Sequence, residues 1–192
     1  MFDDDPVPVK RVIVHPKFKE TLRSKAVQKD FGYNLGLIEL ASPVSFSNSI
    51  GPACLAVSAK NRGRVYAGDQ PLISAGYGAI VNQIDKFKSR LLKEIDLVDR
   101  SADTAECLAN PKLMCLRSAD KKDVLAINDL GGSVLATTGG RSYVTSILSN
   151  LEIAIDDKTE TAYFTDLSFA ARLVESIDWI RQHVDDDYCS DE

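Results

Sequence analysis

The segment from Ile127 to Ser133 holds the most informative arrangement of chemically capable residues in this chain. It reads Ile-Asn-Asp-Leu-Gly-Gly-Ser, with the Asp129 carboxylate beside Leu130 and a pair of glycines. Asn-Asp and Gly-Gly pairs are common in turns, so this composition also fits an ordinary surface turn. Leu130 has no ionisable or nucleophilic atom, so covalent acyl transfer cannot start at its side chain.

The chain contains two histidines, the residue type that most often serves as a general base. His15 lies in a His-Pro-Lys-Phe stretch and is expected at the surface. His183 lies at the end of a segment with helical spacing, where a cation suits the helix dipole. Neither histidine lies in a catalytic motif.

Several segments, in a consistent order along the chain, resemble motifs of the chymotrypsin/trypsin-like serine protease family. The 127–133 segment is similar to the family's Gly-Asp-Ser-Gly-Gly-Pro loop, and 34–40 is similar to its Asp-Ile-Ala-Leu-Leu-Lys-Leu. Further similar segments are 12–18, 49–55, 75–78, 163–167 and 177–180. The resemblance covers residues 9–184 and implies a catalytically degenerate, N-terminally truncated member of the family.

The fold that this resemblance implies is all-β, with trypsin-like antiparallel β-barrels and a C-terminal α-helix. Residues 1–60 are expected to form a partial first barrel, and 61–184 a complete second barrel plus the C-terminal helix. Residues 185–192 form an acidic tail. The similarity begins after the point at which the family carries Thr-Ala-Ala-His-Cys, so its catalytic histidine segment is absent from this chain.

Local sequence patterns agree with a β-rich chain. The apolar run 35–40 predicts a buried strand, and 87–98 alternates loosely like a strand. A Gly-Gly pair between two apolar runs predicts a hairpin turn near residues 138–141. Helical spacing over 169–184 predicts a terminal amphipathic helix.

By resemblance, all three functions of the family's catalytic triad are missing. Leu130 stands at the position of the nucleophile, and Asn34 stands at that of the carboxylate that orients the base. The latter exchange alone lowers turnover by about 10⁴ in the family. The protein is therefore predicted not to be an enzyme.

The remnants of a substrate pocket look equally altered. The resemblance places Val124 near the pocket floor and Asn128 at a glycine whose N–H helps stabilise an oxyanion. Ser149 and Leu151 fall on the strand that pairs with the substrate backbone, where Leu151 would crowd the groove. Asp129 is retained and is expected to cap backbone N–H groups of its loop.

Four cysteines fit a disulfide-bonded, secreted protein. By resemblance Cys107 pairs with Cys115, although the residues alone also allow two free buried thiols. Cys54 is expected to pair with Cys189 or with a second molecule. The first residues have neither the basic nor the apolar region of a signal peptide, so none is predicted in this chain.

Composition excludes several functional classes. A net charge of −5 gives no basic footprint for nucleic acid, and no apolar run is long enough to span a membrane. No cofactor or metal site is predicted.

The function expected from these features is that of a pseudoprotease. Such a protein acts by binding, as a decoy, scaffold or regulator of proteolysis, with a protease, a protease inhibitor or a protease substrate as its protein partner. The first alternative is an active trypsin-like serine endopeptidase, or part of a longer active chain. The second is a truncated or decayed gene product.

Overall fold

The chain folds mainly into β-strands with a few short helices. The computed structural model describes residues 6–23, 30–68, 70–77, 92–120 and 124–184. Within these ranges the strands are β1 (Val9–Val14), β2 (Gly36–Leu40), β3 (Leu72–Gly76), β4 (Lys93–Asp99), β5 (Leu113–Ser118), β6 (Ser133–Thr138), β7 (Arg141–Asp156) and β8 (Thr161–Arg172). The helices are α1 (Pro16–Arg23), α2 (Ala59–Val65), α3 (Ala105–Ala109) and α4 (Ile177–Arg181), with 3₁₀ turns at Phe31–Tyr33, Ile127–Asp129 and Leu173–Ser176.

Six strands close into an antiparallel barrel. Their order is β3-β4-β5-β8-β7-β6, and β6 returns to pair with β3. The side chains of Leu72, Ile95, Leu97, Met114 and Val134 are buried in the barrel core. Closure leaves this sheet without a free edge, which removes the exposed backbone groups that make open sheets prone to association. The prediction of a β-rich barrel with a short C-terminal helix is confirmed at this level.

Two buried hydroxyl groups of the barrel donate to neighbouring backbone carbonyls. The hydroxyl of Ser74 donates to the Ser133 carbonyl at 3.0 Å, and the hydroxyl of Thr145 donates to the Val134 carbonyl at 3.0 Å. Because an unpaired buried hydroxyl destabilises a fold, these two bonds allow small polar residues at inward positions of β3 and β7.

Strands β1 and β2 form a separate two-stranded antiparallel sheet. One face carries four apolar side chains that are 41–64% exposed: Val9, Val12, Ile38 and Leu40. The prediction of a buried strand over 35–40 is therefore wrong for this face, because no further strand covers it within the described residues. The Glu39 carboxylate binds both Lys10 and Arg11.

Two turn and helix predictions have different outcomes. The hairpin turn is confirmed, since Gly139 and Gly140 connect β6 to β7 with φ of 58° and 73°, a range that favours glycine. The helix predicted over 169–184 is wrong at its start, because β8 continues to Arg172 and α4 begins only at Ile177. Hydrogen bonding to β5 on one side and β7 on the other fixes this stretch as a strand, despite its helical spacing.

The strand predicted over 87–98 is found in part. Strand β4 begins at Lys93, and residues 78–91 lie outside the described ranges. Among the described residues, no helix is long and apolar enough to cross a membrane.

The predicted disulfide between Cys107 and Cys115 is present, with the sulfur atoms 2.02 Å apart. It links α3 to β5, and both residues are buried together with Leu113, Leu167 and Phe169. Cys54 is also disulfide-bonded. Of its two predicted partners, Cys189 and a cysteine of a second molecule, Cys189 lies outside the described residues.

Removing the Cys107–Cys115 bridge should destabilise the barrel without changing its topology. The double variant Cys107→Ser/Cys115→Ser should lose about 2–3 kcal/mol of unfolding free energy in urea, because the bridge closes a short loop in the unfolded chain. Peptide mapping of the wild type without reductant should recover the two cysteines in one linked fragment. Alkylation of both thiols in unreduced protein would contradict the assignment.

Candidate functional site

The buried carboxylate of Asp129 organises the turn that contains Leu130. Its Oδ1 accepts a hydrogen bond from the Tyr77 backbone N–H at 2.9 Å, and its Oδ2 accepts one from the Ala126 backbone N–H at 2.8 Å. Asp129 is only 4% exposed. Hydrogen bonds to an ionised acceptor are stronger than neutral ones. This one side chain therefore ties the 127–129 turn to the end of β3.

Three glycines make room for this arrangement. A Cβ atom on Gly76 would lie 2.2 Å from Asp129 Oδ1, and one on Gly132 would lie 2.8 Å from the Asp129 carbonyl oxygen. Gly131 has a φ of 88°, a conformation that side chains disfavour. The shape of the turn thus requires the Gly-Gly pair.

Leu130 lies at the exposed tip of this turn. Its side chain is 40% exposed, and Ile127 and Tyr77 are 63% and 49% exposed. The next residue, Gly131, donates its backbone N–H to the Leu148 carbonyl at 2.9 Å. The turn is therefore docked against β7 while it presents an apolar surface to solvent.

Asn34 reaches the same region of β7 from the other side. Its Nδ2 amide donates to the Ser149 carbonyl at 3.3 Å. The Ser149 side chain is buried, and its hydroxyl has no hydrogen-bond partner among the described residues. The structure thus brings Asn34 and the Leu130 turn to consecutive residues of one strand, Leu148 and Ser149.

The expectation that His15 is a surface residue is wrong, because its side chain is only 4% exposed. Its ring stacks on Tyr33 at a centroid distance of 4.9 Å and meets the edge of Trp179 at 4.5 Å. These aromatic neighbours bury a polar ring, and Nδ1 has no hydrogen-bond partner in the described part of the chain. This packing has no local signature in the sequence, since Tyr33 and Trp179 are distant from His15 along the chain.

Burial also shifts the titration of His15. Removal of the ring from water lowers the pKa of His15, and the nearby Lys17 ammonium lowers this pKa further. His183 remains exposed after the end of α4, with its Nδ1 2.8 Å from the Trp179 carbonyl oxygen. Neither histidine has a hydrogen bond to the Asn34 or Leu130 side chain in the described structure.

The remaining predicted pocket residues differ in their exposure. Val124 and Leu151 are buried at 4% and 8% exposure, and Leu151 belongs to the barrel core. Asn128 is exposed on the turn beside Leu130. Ser149 contacts Asn34 through its carbonyl, as described above.

A cavity of about 560 Å³ begins next to the contact between Asn34 and Ser149. We call it the Asn150 cavity. Its walls come from the turn before Asn34, from α3, from the segment that leads into β5 and from β7, and they include Asp30, Phe31, Glu106, Ala109, Lys112 and Asn150. Its size lies within the range of ligand pockets in proteins.

A charged network fixes one wall of the Asn150 cavity. Asp30 accepts from the Lys112 ammonium at 2.9 Å, from the Asn110 side-chain amide at 2.8 Å and from the Gly32 backbone N–H at 3.0 Å. Burial raises the pKa of the Asp30 carboxyl, but these hydrogen bonds outweigh it and lower the pKa overall. The bond to Asp30 raises the pKa of Lys112, whose Nζ also lies 5.0 Å from the Tyr33 ring centroid.

Sequence reasoning missed the residues of this wall. The signal available was the adjacency of Asp30 and Phe31 to Asn34, and of Asn150 to Ser149. The pairing of Lys112 with Asp30, 82 residues apart, depends on the tertiary fold.

A closed six-stranded antiparallel barrel is compatible with a trypsin-like fold. No protein-family model matches the sequence, and no curated protein is significantly similar to it. In the described ranges, no group of three or more His, Cys, Asp or Glu side chains could hold a metal ion.

The burial of His15 should make stability depend on pH. The unfolded chain binds a proton at His15 near the ordinary pKa of about 6.5, whereas the folded chain, with its lowered pKa, resists protonation until lower pH. The contribution of His15 to the free energy of unfolding is therefore complete above the pKa of the unfolded chain. It is lost as the pH falls toward the pKa of the folded chain. The urea concentration at the unfolding midpoint should therefore decrease as the pH falls between these two pKa values.

The variant His15→Phe keeps an aromatic ring between Tyr33 and Trp179 and should flatten that pH dependence. His183→Gln, at an exposed position, is the matched control and should leave the dependence unchanged. An unaltered pH profile in His15→Phe would contradict the assignment.

Proposed function

We propose that this chain is a non-catalytic serine protease homologue that acts by binding another protein. The observation that carries the proposal is the convergence of Asn34 and the Leu130 turn on consecutive residues of β7. These are the positions at which the resemblance expects the orienting carboxylate and the nucleophile. The positions that the resemblance assigns to a catalytic site thus carry side chains that have no catalytic chemistry.

The chemistry of the site supports inactivity. An amide at Asn34 cannot stabilise a protonated base, and leucine at 130 cannot attack a carbonyl carbon. His15 is held between Tyr33 and Trp179, with a lowered pKa that favours its neutral form. It makes no hydrogen bond to either position among the described residues.

The surface around the turn supports a binding role. The exposed side chains of Tyr77, Ile127 and Leu130 provide apolar contact area, and the Asn150 cavity begins two residues along β7 from Leu148. The partner that suits this surface is an extended polypeptide segment, whose alternate side chains contact the exposed apolar surface and the Asn150 cavity. A protease, a protease inhibitor or a protease substrate can each supply such a segment.

We place the proposed activity outside the cell. The Cys107–Cys115 disulfide and the disulfide at Cys54 favour an oxidising compartment.

Partial repair of the site should not create a protease. Neither the wild type nor Leu130→Ser/Asn34→Asp should cleave peptide esters or react with a fluorophosphonate probe. A serine hydroxyl without a base is a poor nucleophile at neutral pH, and in a triad the loss of one key member costs about 10⁶ in turnover. An active trypsin-like protease, assayed alongside, is the positive control.

Two outcomes of the repair experiment would contradict the proposal in different ways. Stoichiometric labelling of any serine in the wild type would show that the chain is an active enzyme. Labelling that appears only in the double variant would mean that a histidine reaches the site, so the loss of the base would be wrong.

Binding should depend on access to the Asn150 cavity. Extended peptides selected from a displayed library on the wild type should bind Ala109→Arg at least about tenfold more weakly, because the new side chain enters the cavity, and tenfold corresponds to about 1.4 kcal/mol. Ala105→Arg is the matched control, since Ala105 lies on the same helix, is exposed and does not line the cavity. Equal loss in both variants, or in neither, would count against this site.

A further inference from the structure

A second cavity, of about 460 Å³, lies on the other side of the segment from Pro111 to Leu113. We call it the Arg62 cavity. Its walls come from α2, from the end of β8 and from the 3₁₀ turn that follows β8, and include Arg62, Tyr66, Pro111, Arg172, Val174 and Glu175. Nothing in the proposed protease-like site uses this cavity.

One guanidinium group in the Arg62 cavity is fixed by the fold. Arg172 donates from Nε to the Leu113 carbonyl at 3.0 Å, and from Nη2 to Asp99 at 3.3 Å and to the Ser101 hydroxyl at 2.9 Å. The Arg172 side chain is 16% exposed, and its charge is paired with Asp99. Its Nη1 amino group makes no hydrogen bond within the described residues.

The second guanidinium group has most of its donors available. Arg62 donates from Nε to the Ala56 carbonyl at 3.2 Å, which orients the group. Its two amino groups have no hydrogen bond or ion pair in the described structure. A guanidinium presents donors in a fixed planar fork, which suits a carboxylate.

Tyr66 lies between these charges but stays neutral. Its hydroxyl donates to the Thr145 carbonyl at 2.7 Å, and burial raises the pKa of Tyr66 to about 12. The Arg172, Arg62 and Glu175 side chains are all close enough to influence this hydroxyl electrostatically. The three charged groups line the same cavity as Tyr66.

The charges of the cavity leave one cation and one anion without a partner. Arg172 is paired with Asp99, whereas Arg62 and Glu175 have no salt bridge among the described residues. Pro111 and Val174 add apolar walls between them. A ligand that matches these groups carries a carboxylate, an ammonium and an apolar body.

We propose that the Arg62 cavity binds a free α-amino acid with a large apolar side chain. The carboxylate of the ligand accepts hydrogen bonds from Arg62 and from Nη1 of Arg172. Its ammonium group faces Glu175, and its side chain packs on Tyr66, Pro111 and Val174. The cavity volume accommodates an amino acid of the size of phenylalanine.

The test uses three probes that differ by one charge each, titrated into the full chain and followed by two-dimensional NMR. Phenylalanine carries both charges, N-acetylphenylalanine lacks the ammonium, and phenylalaninamide lacks the carboxylate. Phenylalanine should bind most tightly, with shifts at resonances of the cavity residues. Equal affinity for all three probes, or the absence of saturable shifts with phenylalanine, would overturn the proposal.

Two variants assign the charges to their residues. Arg62→Gln should weaken phenylalanine binding about tenfold and reduce the preference over phenylalaninamide, since a tenfold change corresponds to about 1.4 kcal/mol. Glu175→Gln should abolish the preference over N-acetylphenylalanine while the preference over phenylalaninamide remains. Because Glu175 is exposed, this second variant keeps the test decisive if Arg62→Gln does not fold.

Arg64→Gln is the matched control, because Arg64 is on α2, is exposed and does not line the cavity. It should bind phenylalanine like the wild type. A loss in Arg64→Gln equal to that in Arg62→Gln would show a general effect of net charge and would overturn the assignment.

Discussion

The buried carboxylate of Asp129 is the interaction on which the candidate site depends. It joins the end of β3, the residue before the 3₁₀ turn and the turn itself through two backbone N–H groups. The absence of a side chain at Gly76 makes this close approach possible. None of these groups takes part in bond making or breaking, so the shape of the turn is independent of whether residue 130 can react.

Strand β7 gathers the parts of the site at one of the irregularities in its strand pairing. Its pairing with β8 skips Ser149, since Leu148 opposes Ala170 and Asn150 opposes Phe169. A skipped residue in a ladder has backbone groups that are free for other partners, and the Ser149 carbonyl accepts from Asn34. The hydrogen bond from the Asn34 side chain to Ser149 thus depends on a bulge in the backbone of β7.

Features that depend on neighbouring residues or on recognisable motifs could be predicted from the sequence. Features that depend on packing between distant segments could not. The turn at Gly139 and the Cys107–Cys115 pair were predictable, because glycine geometry and motif resemblance mark them. The burial of His15 was not predictable, since it requires Tyr33 and Trp179 to arrive from distant parts of the chain. The same holds for the ion pair that lines the Asn150 cavity, and for β8, whose two neighbours override its helical spacing.

The segment from Pro111 to Leu113 is a wall that two cavities share, because both of its end residues line the Arg62 cavity and the Asn150 cavity. It is anchored by the Leu113 carbonyl on one side, which accepts from Arg172, and by the Lys112 ammonium on the other, which binds Asp30. Any ligand that displaces this wall from one cavity changes the volume that is open to a ligand in the other cavity. Such linkage is reciprocal in free energy, so each occupant would alter the affinity for the other by the same factor.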